Sequence, residues 1–225
     1  MRMVFAAVMT ILRRLHPLWL PALLLLSAPP VFAEKVRNHF DSDSVMRPPG
    51  FFDLAVLGAP GTAKWLILTD LNPPSAPNRL VQVEMSRPAD SIAAALRRNY
   101  TFQDGTVSTF VKQGAGREGL IFRLKDEKNF LLLLIDSSGG VVLSSYRDGA
   151  ASELGRGRAV IARPWEKISA AAAGPEVSVF FNDQKLFDAR DPKPVSGRTG
   201  LAAVGPGEAS FDEFILEPAE SAPAP

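Results

Sequence analysis

Residues 119–136 read GLIFRLKDEKNFLLLLID, and this stretch decides the fold. Alternate positions share a face in a strand, which places Leu120, Phe122 and Leu124 on one side and Ile121, Arg123 and Lys125 on the other. Residues 126–129 carry Asp and Asn, which favour a tight turn. Residues 130–135 are apolar throughout, which predicts a mid-sheet strand covered on both faces. Two stacked sheets supply such cover, so the stretch predicts a β-sandwich.

The first 33 residues have the pattern of an export signal. Two arginines precede the apolar run Leu18–Leu26, and small residues lead up to Ala33. The alternative is a membrane anchor, but the run is shorter than the roughly 20 residues that a spanning helix needs. We therefore expect residues 1–33 to be a cleaved signal peptide, with no membrane span afterwards. The protein is then periplasmic or extracellular.

Composition restricts the rest of the chain. Of the 225 residues none is cysteine, and 22 basic and 24 acidic side chains follow residue 33. Nucleic-acid binding is not expected, since it calls for a strongly basic domain. An exported chain without disulfides depends on its core, and this length suits one domain. We predict a sandwich domain at residues 34–217 and a disordered, proline- and alanine-rich tail at 218–225.

Short apolar runs separated by turn residues continue to the end of the domain, as in sandwiches and barrels. One segment is ambiguous. Local propensity favours a helix over Asp90–Asn99, which is rich in alanine and has a capping aspartate. The alternative is an extended segment that leads into Tyr100, because a sheet context overrides local propensity.

The sequence offers little support for a catalytic motif. Residues 114–119 match a dinucleotide fingerprint, but a strand follows where that motif needs a helix. His39 is the single histidine after residue 33, and no Gly-x-Ser-x-Gly elbow presents a serine. Glycoside hydrolysis needs two carboxylates that flank a sugar. Asp126, Asp136 and Asp188 are the acids that keep this chemistry open, although all lie at strand ends or in loops.

One cofactor, Ca²⁺, is conceivable. Asp41, Asp43 and Asp212 supply the oxygen ligands that calcium prefers, and they meet if the terminal strands pair. The alternative is that these are ordinary turn acids.

A sugar-binding face is the hypothesis that the residue types favour most. Flat aromatic rings and bidentate polar side chains hold sugars. The candidates are Trp65, Tyr100, Arg123, Lys125, Asn129, Tyr146 and Trp165. Arg123 stands out, because a charge in mid-sheet rarely persists without a partner.

Five parts of the sequence carry the fold motifs of a known group: GLIFRLKDEKNFL from Gly119, Trp165, VSVFFNDQKLF from Val177, GRTGL from Gly197 and FDEFIL from Phe211. They resemble the concanavalin A-like lectin/glucanase superfamily, and look most like laminin-G-like and exported 3-keto-disaccharide hydrolase-type bacterial domains. The resemblance runs from Phe40 to Glu217 and implies a jelly roll of two antiparallel sheets. The glucanase catalytic strand is missing, and Phe130 and Leu131 stand where relatives often carry paired tyrosines.

We therefore predict an all-β protein, a two-sheet antiparallel jelly-roll sandwich of the concanavalin A-like kind. Its predicted function is non-catalytic carbohydrate binding outside the cytoplasm. One alternative is a glycoside hydrolase-type enzyme that acts on 3-keto-glycosides or related substrates. The other is a protein-interaction domain of the cell envelope. The sequence leaves the ligand and the oligomeric state open.

Overall fold

The computed structural model describes residues 35–112, 114 and 116–219. Within these residues the chain forms 15 β-strands and no helix. The strands are β1 (Val36–Asn38), β2 (Phe52–Gly58), β3 (Trp65–Thr69), β4 (Asn78–Gln82), β5 (Ser91–Arg97), β6 (Gly105–Lys112), β7 (Arg117–Asp126), β8 (Asn129–Asp136), β9 (Gly140–Arg147), β10 (Ala150–Arg158), β11 (Trp165–Ala173), β12 (Glu176–Phe181), β13 (Gln184–Arg190), β14 (Arg198–Val204) and β15 (Ala209–Pro218).

The strands form two antiparallel sheets. The eight-stranded sheet has the order β13-β12-β11-β6-β15-β4-β3, and β1 also pairs with β15. The seven-stranded sheet has the order β10-β9-β8-β7-β14-β5-β2. The predicted all-β, two-sheet antiparallel sandwich is confirmed. Several neighbouring strands, such as β6 and β15, are far apart in sequence. Such pairing is typical of a sandwich and differs from a meander, in which consecutive strands pair.

The main core lies between the sheets and is built from the inward face of each strand. Phe122 and Leu133 enter it from the seven-stranded sheet, and Ile67 and Phe211 enter it from the eight-stranded sheet. All four are fully buried. Burial of such a side chain contributes about 1.5–3 kcal/mol, so this layer is what holds a cysteine-free chain together.

The predicted hairpin is present, but its alternation changes phase. Leu120 and Phe122 face the core between the sheets, as expected. Leu124 does not: it packs with Ile121 in a second apolar cluster. The cause is a β-bulge at Arg123, which has a φ of 52° and interrupts the register between β7 and β8. The extra residue turns the strand, so the prediction that Leu124 shares a face with Phe122 is wrong.

The second apolar cluster belongs to the seven-stranded sheet alone. Ile92, Ile121, Phe130 and Leu132 are buried members of it. They alternate with core residues along their strands, so they lie on the face turned away from the eight-stranded sheet. The strand over residues 130–135 is therefore apolar on both faces because each face contributes to a different cluster.

The ambiguous alanine-rich segment is extended. Strand β5 covers Ser91–Arg97 and pairs with β2 on one side and β14 on the other. Residues Ser91–Leu96 are all buried, which a solvent-facing helix cannot achieve. Hydrogen bonds to two neighbours and burial on both faces outweigh the helical propensity of three alanines, so the helix prediction for Asp90–Asn99 is wrong.

The predicted signal peptide, residues 1–33, lies outside the described residues. The predicted tail lies outside them from residue 220, while β15 reaches Pro218. Within the described part of the chain, no helix is long and apolar enough to cross a membrane.

Candidate functional site

The side chains that the sequence offered for ligand binding do not meet in one place. Trp65 is 1% exposed and packs on Phe211 in the main core, with 5.6 Å between ring centroids. Its ring is part of the core and offers no surface to a ligand. The prediction of Trp65 as a sugar-binding ring is therefore contradicted by its burial.

Arg123 is the centre of a buried ion-pair network. Its Nη1 donates to Asp191 Oδ2 at 2.9 Å, and both side chains are 0% exposed. Its Nε donates to the carbonyl of Gln103 at 2.9 Å, and its Nη2 donates to the carbonyl of Gly174 at 2.6 Å. Arg147 donates to the other Asp191 oxygen at 2.7 Å. The guanidinium is enclosed by protein acceptors, so it braces the fold and has no face open to a ligand.

The other two polar candidates lie at the β7–β8 hairpin. The Asn129 side chain donates to Asp126 at 2.8 Å and accepts from the backbone N–H of Asp148 at 3.2 Å. Asn129 thus joins this hairpin turn to the turn between β9 and β10. Lys125 is exposed beside it. Neither residue lines a cavity described below.

The two tyrosines lie in separate depressions. Tyr100 lines one of about 610 Å³ together with Phe51 and Arg97. Tyr146 lines one of about 420 Å³ on the outward face of the seven-stranded sheet. Its ring stacks on Phe130 with 4.3 Å between centroids and 14° between planes. Tyr100 and Tyr146 do not share a site.

The three carboxylates that the sequence offered for calcium are engaged elsewhere. Asp41 accepts from the backbone N–H of Asn78 at 3.0 Å and shares a hydrogen bond of 3.0 Å with His39 Nδ1. Asp43 faces the backbone N–H of Gly50. Among the described residues, no three His, Cys, Asp or Glu side chains gather closely enough to hold a metal ion. The calcium site made of Asp41, Asp43 and Asp212 is therefore wrong, because local N–H groups already use these oxygens.

Three neighbouring cavities lie along the eight-stranded sheet, and we call them together the outer groove. The first and third lie on its outward face, and the second lies where the turn between β12 and β13 meets the end of β10. The three cavities have volumes of about 700, 460 and 340 Å³. The first and second share Phe110 and Arg163 as lining residues. The second and third share Lys167 and Asp183. Shared lining residues make the three cavities neighbours.

The floor of the outer groove follows from strand alternation. Val107 and Val111 of β6 face the core. Phe110 and Lys112, which alternate with them, therefore face outwards and line the first cavity. Trp165 of β11 pairs with Lys112 and lines the same cavity. The sequence candidate Trp165 is thus the one that the structure places in the groove.

The first cavity combines an aromatic floor with a charged rim. Trp165 is 8% exposed, and Lys112 Nζ lies 5.7 Å from its ring centroid, within the range of a cation–π contact. The same ammonium lies 2.5 Å from the carboxylate of Asp70. Leu71, 95% exposed, lines this cavity together with Phe110. A ligand here meets rings, an aliphatic wall and charged groups at once.

One wall of the groove is the proline-rich loop at residues 70–77, which Asp212 holds in place. The backbone N–H of Ser75 donates to Asp212 Oδ2 at 2.7 Å, and Ser75 Oγ donates to Oδ1 at 3.0 Å. Burial raises the pKa of Asp212 to about 7, and the hydrogen bonds from Ser75 act against that rise. Asp212, offered by the sequence as a metal ligand, is instead the anchor of this loop.

Replacing Ser75 by alanine is expected to lower the free energy of unfolding by about 1–3 kcal/mol, because a buried carboxylate loses a donor. Urea unfolding measures this. The matched control is Ser178→Ala, since the Ser178 hydroxyl donates to the exposed Asp188. That control should change stability by less than about 0.5 kcal/mol. Equal losses in the two variants would show that Ser75 does not anchor the loop.

The opposite wall, residues 162–165, is fixed by a buried glutamate. Glu166 Oε1 accepts from the backbone N–H groups of Ala162 and Arg163, each at 2.7 Å. Its Oε2 accepts from the side chain of Asn182 at 2.6 Å. Because both carboxylate oxygens are used, the backbone that carries Arg163 and Trp165 is held rigidly at the rim.

Sequence reasoning missed Phe110, Lys112 and Arg163. Phe110 and Lys112 could have been found from the sequence. Residues 106–112 have the pattern of a strand, and alternation along it gives the positions that face outwards. What makes them a site is the loop at 70–77, which lies about forty residues earlier. For example, Asp70 and Lys112 meet across 42 positions. Spacing along one element does not show such a contact.

The three acids that kept an enzyme open are all poor general acids. The Ser138 hydroxyl that donates to Asp136 holds the pKa of that carboxyl below its usual value. Asn129 lowers the pKa of Asp126, and Ser178 lowers the pKa of Asp188, in the same way. A general acid in glycoside hydrolysis needs a raised pKa.

Comparisons with known proteins bear on the fold. No protein-family model matches the sequence, and neither does any curated protein. Among solved structures, the chain is similar to the carbohydrate-binding module CBM66 from Bacillus subtilis, with 19% identity and a TM-score of 0.55 over 73% of this chain and 95% of that chain. It is also similar to a protein of unknown function with a galectin-like fold from Bacillus subtilis, with 16% identity and a TM-score of 0.54 over 81% of this chain and 94% of that one. These similarities show a shared β-sandwich fold.

Proposed function

We propose that this chain is an exported, non-catalytic glycan-binding module whose ligand lies in the outer groove. The observation that carries the proposal is that three neighbouring cavities lie along one sheet, with aromatic rings among their lining residues. Sugars present apolar C–H faces to rings and hydroxyl groups to polar side chains. The groove offers both along its length, with Phe110 and Trp165 in the first cavity and Phe180 in the third.

The shape favours a chain of sugars over a single terminal residue. The groove runs from the loop at residues 70–74, through the second cavity, to Lys35 and Glu217 at the far side of the third. Such a row of neighbouring cavities accommodates several linked sugar units. Both walls are fixed by buried carboxylates, so little ordering is needed on binding, which favours affinity.

The structural neighbours support the fold on which the proposal rests. CBM66 is by its name a carbohydrate-binding module, and it matches this chain over 95% of its own length. The proposal does not rest on that name alone, because the groove was defined from the residues of this chain. Export follows from the pattern of residues 1–33 and is part of the proposal.

Replacement of Phe110 by alanine is expected to weaken glycan binding at least tenfold, because the half-buried ring that stacks on the sugar is lost. Binding is measured by glycan array and then by titration with the best polysaccharide. Phe51→Ala is the matched control, because Phe51 is an exposed aromatic ring outside the groove. It should bind as the unaltered protein does, and thermal unfolding should show all variants to be folded.

Two outcomes would contradict the proposal. One is the absence of binding to any glycan by the folded protein. The other is unchanged binding in the Phe110 variant together with a loss in Tyr146→Ala, which would place the site on the seven-stranded sheet instead.

A further inference from the structure

We propose that the glycan carries negative charges, as carboxylate or sulfate groups, and that the first two cavities of the outer groove recognise them. This inference rests on the proposed function and names its ligand class. The carrying observation is the charge of the lining. Five cationic side chains and two anionic side chains line these cavities: Lys112, Arg158, Arg163, Lys167 and Lys185 against Asp70 and Asp183.

The excess of positive charge is local. After residue 33 the chain has 22 basic and 24 acidic side chains, so its average charge is slightly negative. Even when Asp188, which pairs with Lys185, is counted with the lining, these cavities carry two more cations than anions and so differ in sign from the rest of the molecule. Field lines focus in such a depression and attract ligands of the opposite charge.

Part of this charge is free to act on a ligand. Lys112 pairs with Asp70, Lys167 pairs with Asp183 at 2.8 Å, and Lys185 pairs with Asp188 at 2.9 Å. Arg163 is exposed and forms no ion pair with another side chain in the described part of the chain, while Glu166 fixes its backbone. A guanidinium presented in this way forms paired hydrogen bonds to a carboxylate or a sulfate.

The position of the charges suits a sugar more than another polyanion. Arg163 is shared by the first and second cavities, directly beside the Phe110 floor. A sugar ring on Phe110 thus brings its acidic substituent to Arg163. Nucleic acid, in contrast, requires a long basic surface, and this chain is slightly acidic beyond the groove.

The test compares polysaccharides that differ in charge but share a backbone. The purified protein is titrated with polygalacturonate and with its fully methyl-esterified, neutral form. Dextran sulfate and dextran form a second pair, which separates sulfate from carboxylate. We expect at least tenfold tighter binding to the charged member of one pair. Since screened charges attract less, that binding should weaken severalfold between 50 and 300 mM salt.

The double variant Arg158→Gln/Arg163→Gln should lose at least tenfold in affinity for the charged polymer. Arg190→Gln is the control, because Arg190 is exposed, pairs with Glu176 and does not line the groove. It should bind normally.

The outcomes are distinguishable. Equal binding of charged and neutral polymers overturns this inference and leaves glycan binding intact. Charged-polymer binding that the double variant does not affect overturns the role of the groove. Equally tight binding of single-stranded DNA overturns the assignment to a sugar. Failure to bind any polysaccharide, charged or neutral, overturns the proposed function itself.

Discussion

Replacing Arg123 by methionine is expected to lower the free energy of unfolding by about 3–5 kcal/mol, which is the usual cost of breaking a buried ion pair by removing one partner. The loss is this large because Asp191 stays behind, 0% exposed. Of its two cationic partners only Arg147 then remains. Urea unfolding followed by tryptophan fluorescence measures the change.

The double variant Arg123→Met/Asp191→Asn provides the test of mechanism. It removes both buried charges, so it should recover part of the stability that Arg123→Met loses. Arg156→Gln is the matched control, since Arg156 forms an exposed ion pair with Glu153. It should change stability by less than about 1 kcal/mol. If Arg123→Met costs no more than this control, the buried network does not brace the fold.

Glu118→Gln is expected to make the protein more stable at alkaline pH. Glu118 is buried in β7, and burial raises the pKa of its carboxyl to about 8, with a smaller contribution from Glu208. Its Oε2 has no hydrogen-bond partner. The folded state therefore keeps the proton up to about pH 8, while the unfolded chain releases it near 4.5, the ordinary pKa of a glutamate side chain.

The sign of the effect follows from this difference. The contribution of Glu118 to stability is greatest below pH 4.5, where both states hold the proton, and this contribution falls as the pH rises towards 8. The full loss is at most about 5 kcal/mol, since each pKa unit corresponds to about 1.4 kcal/mol. Glutamine cannot ionise, so Glu118→Gln should escape this loss and exceed the unaltered protein by a few kcal/mol at pH 9.

Urea unfolding at pH 5, 7 and 9 separates the two proteins. Asp212, whose pKa is also raised, contributes the same slope to both, so the difference between them isolates Glu118. Glu127→Gln, at the exposed β7–β8 turn, should follow the unaltered protein at every pH. Parallel profiles for Glu118→Gln and the unaltered protein would show that Glu118 is ionised in the folded state.

The sequence was sufficient for the architecture because its strongest signal is also its most buried part. Residues 130–135 are apolar at every position, and a strand with an apolar cluster on each face uses all of them. The change of phase at Leu124 was not predictable. It arises from a left-handed backbone conformation at Arg123. A positive φ is uncommon for residues other than glycine, so the presence of an arginine does not predict it. Ser91–Arg97 forms a strand and not a helix because it pairs with a neighbouring strand on each side. Such pairing joins residues far apart in sequence, so local propensity does not predict it.

The site was predicted less well than the fold. Trp165 was identified from its ring alone, and its strand does face the groove. Trp65 has the same ring chemistry but points into the core. The two residues differ in the sheet face on which their side chains lie. The residue type alone does not predict that face. Arg123 was singled out correctly as a charge that needs a partner, but that partner is Asp191 and not a ligand.

The position of β15 has a consequence for biosynthesis. This strand, Ala209–Pro218, lies between β6 and β4 and also pairs with β1. A nascent chain therefore cannot complete the eight-stranded sheet until residue 218 has left the ribosome. Until then β1, formed at residues 36–38, has no neighbour to pair with in the sheet.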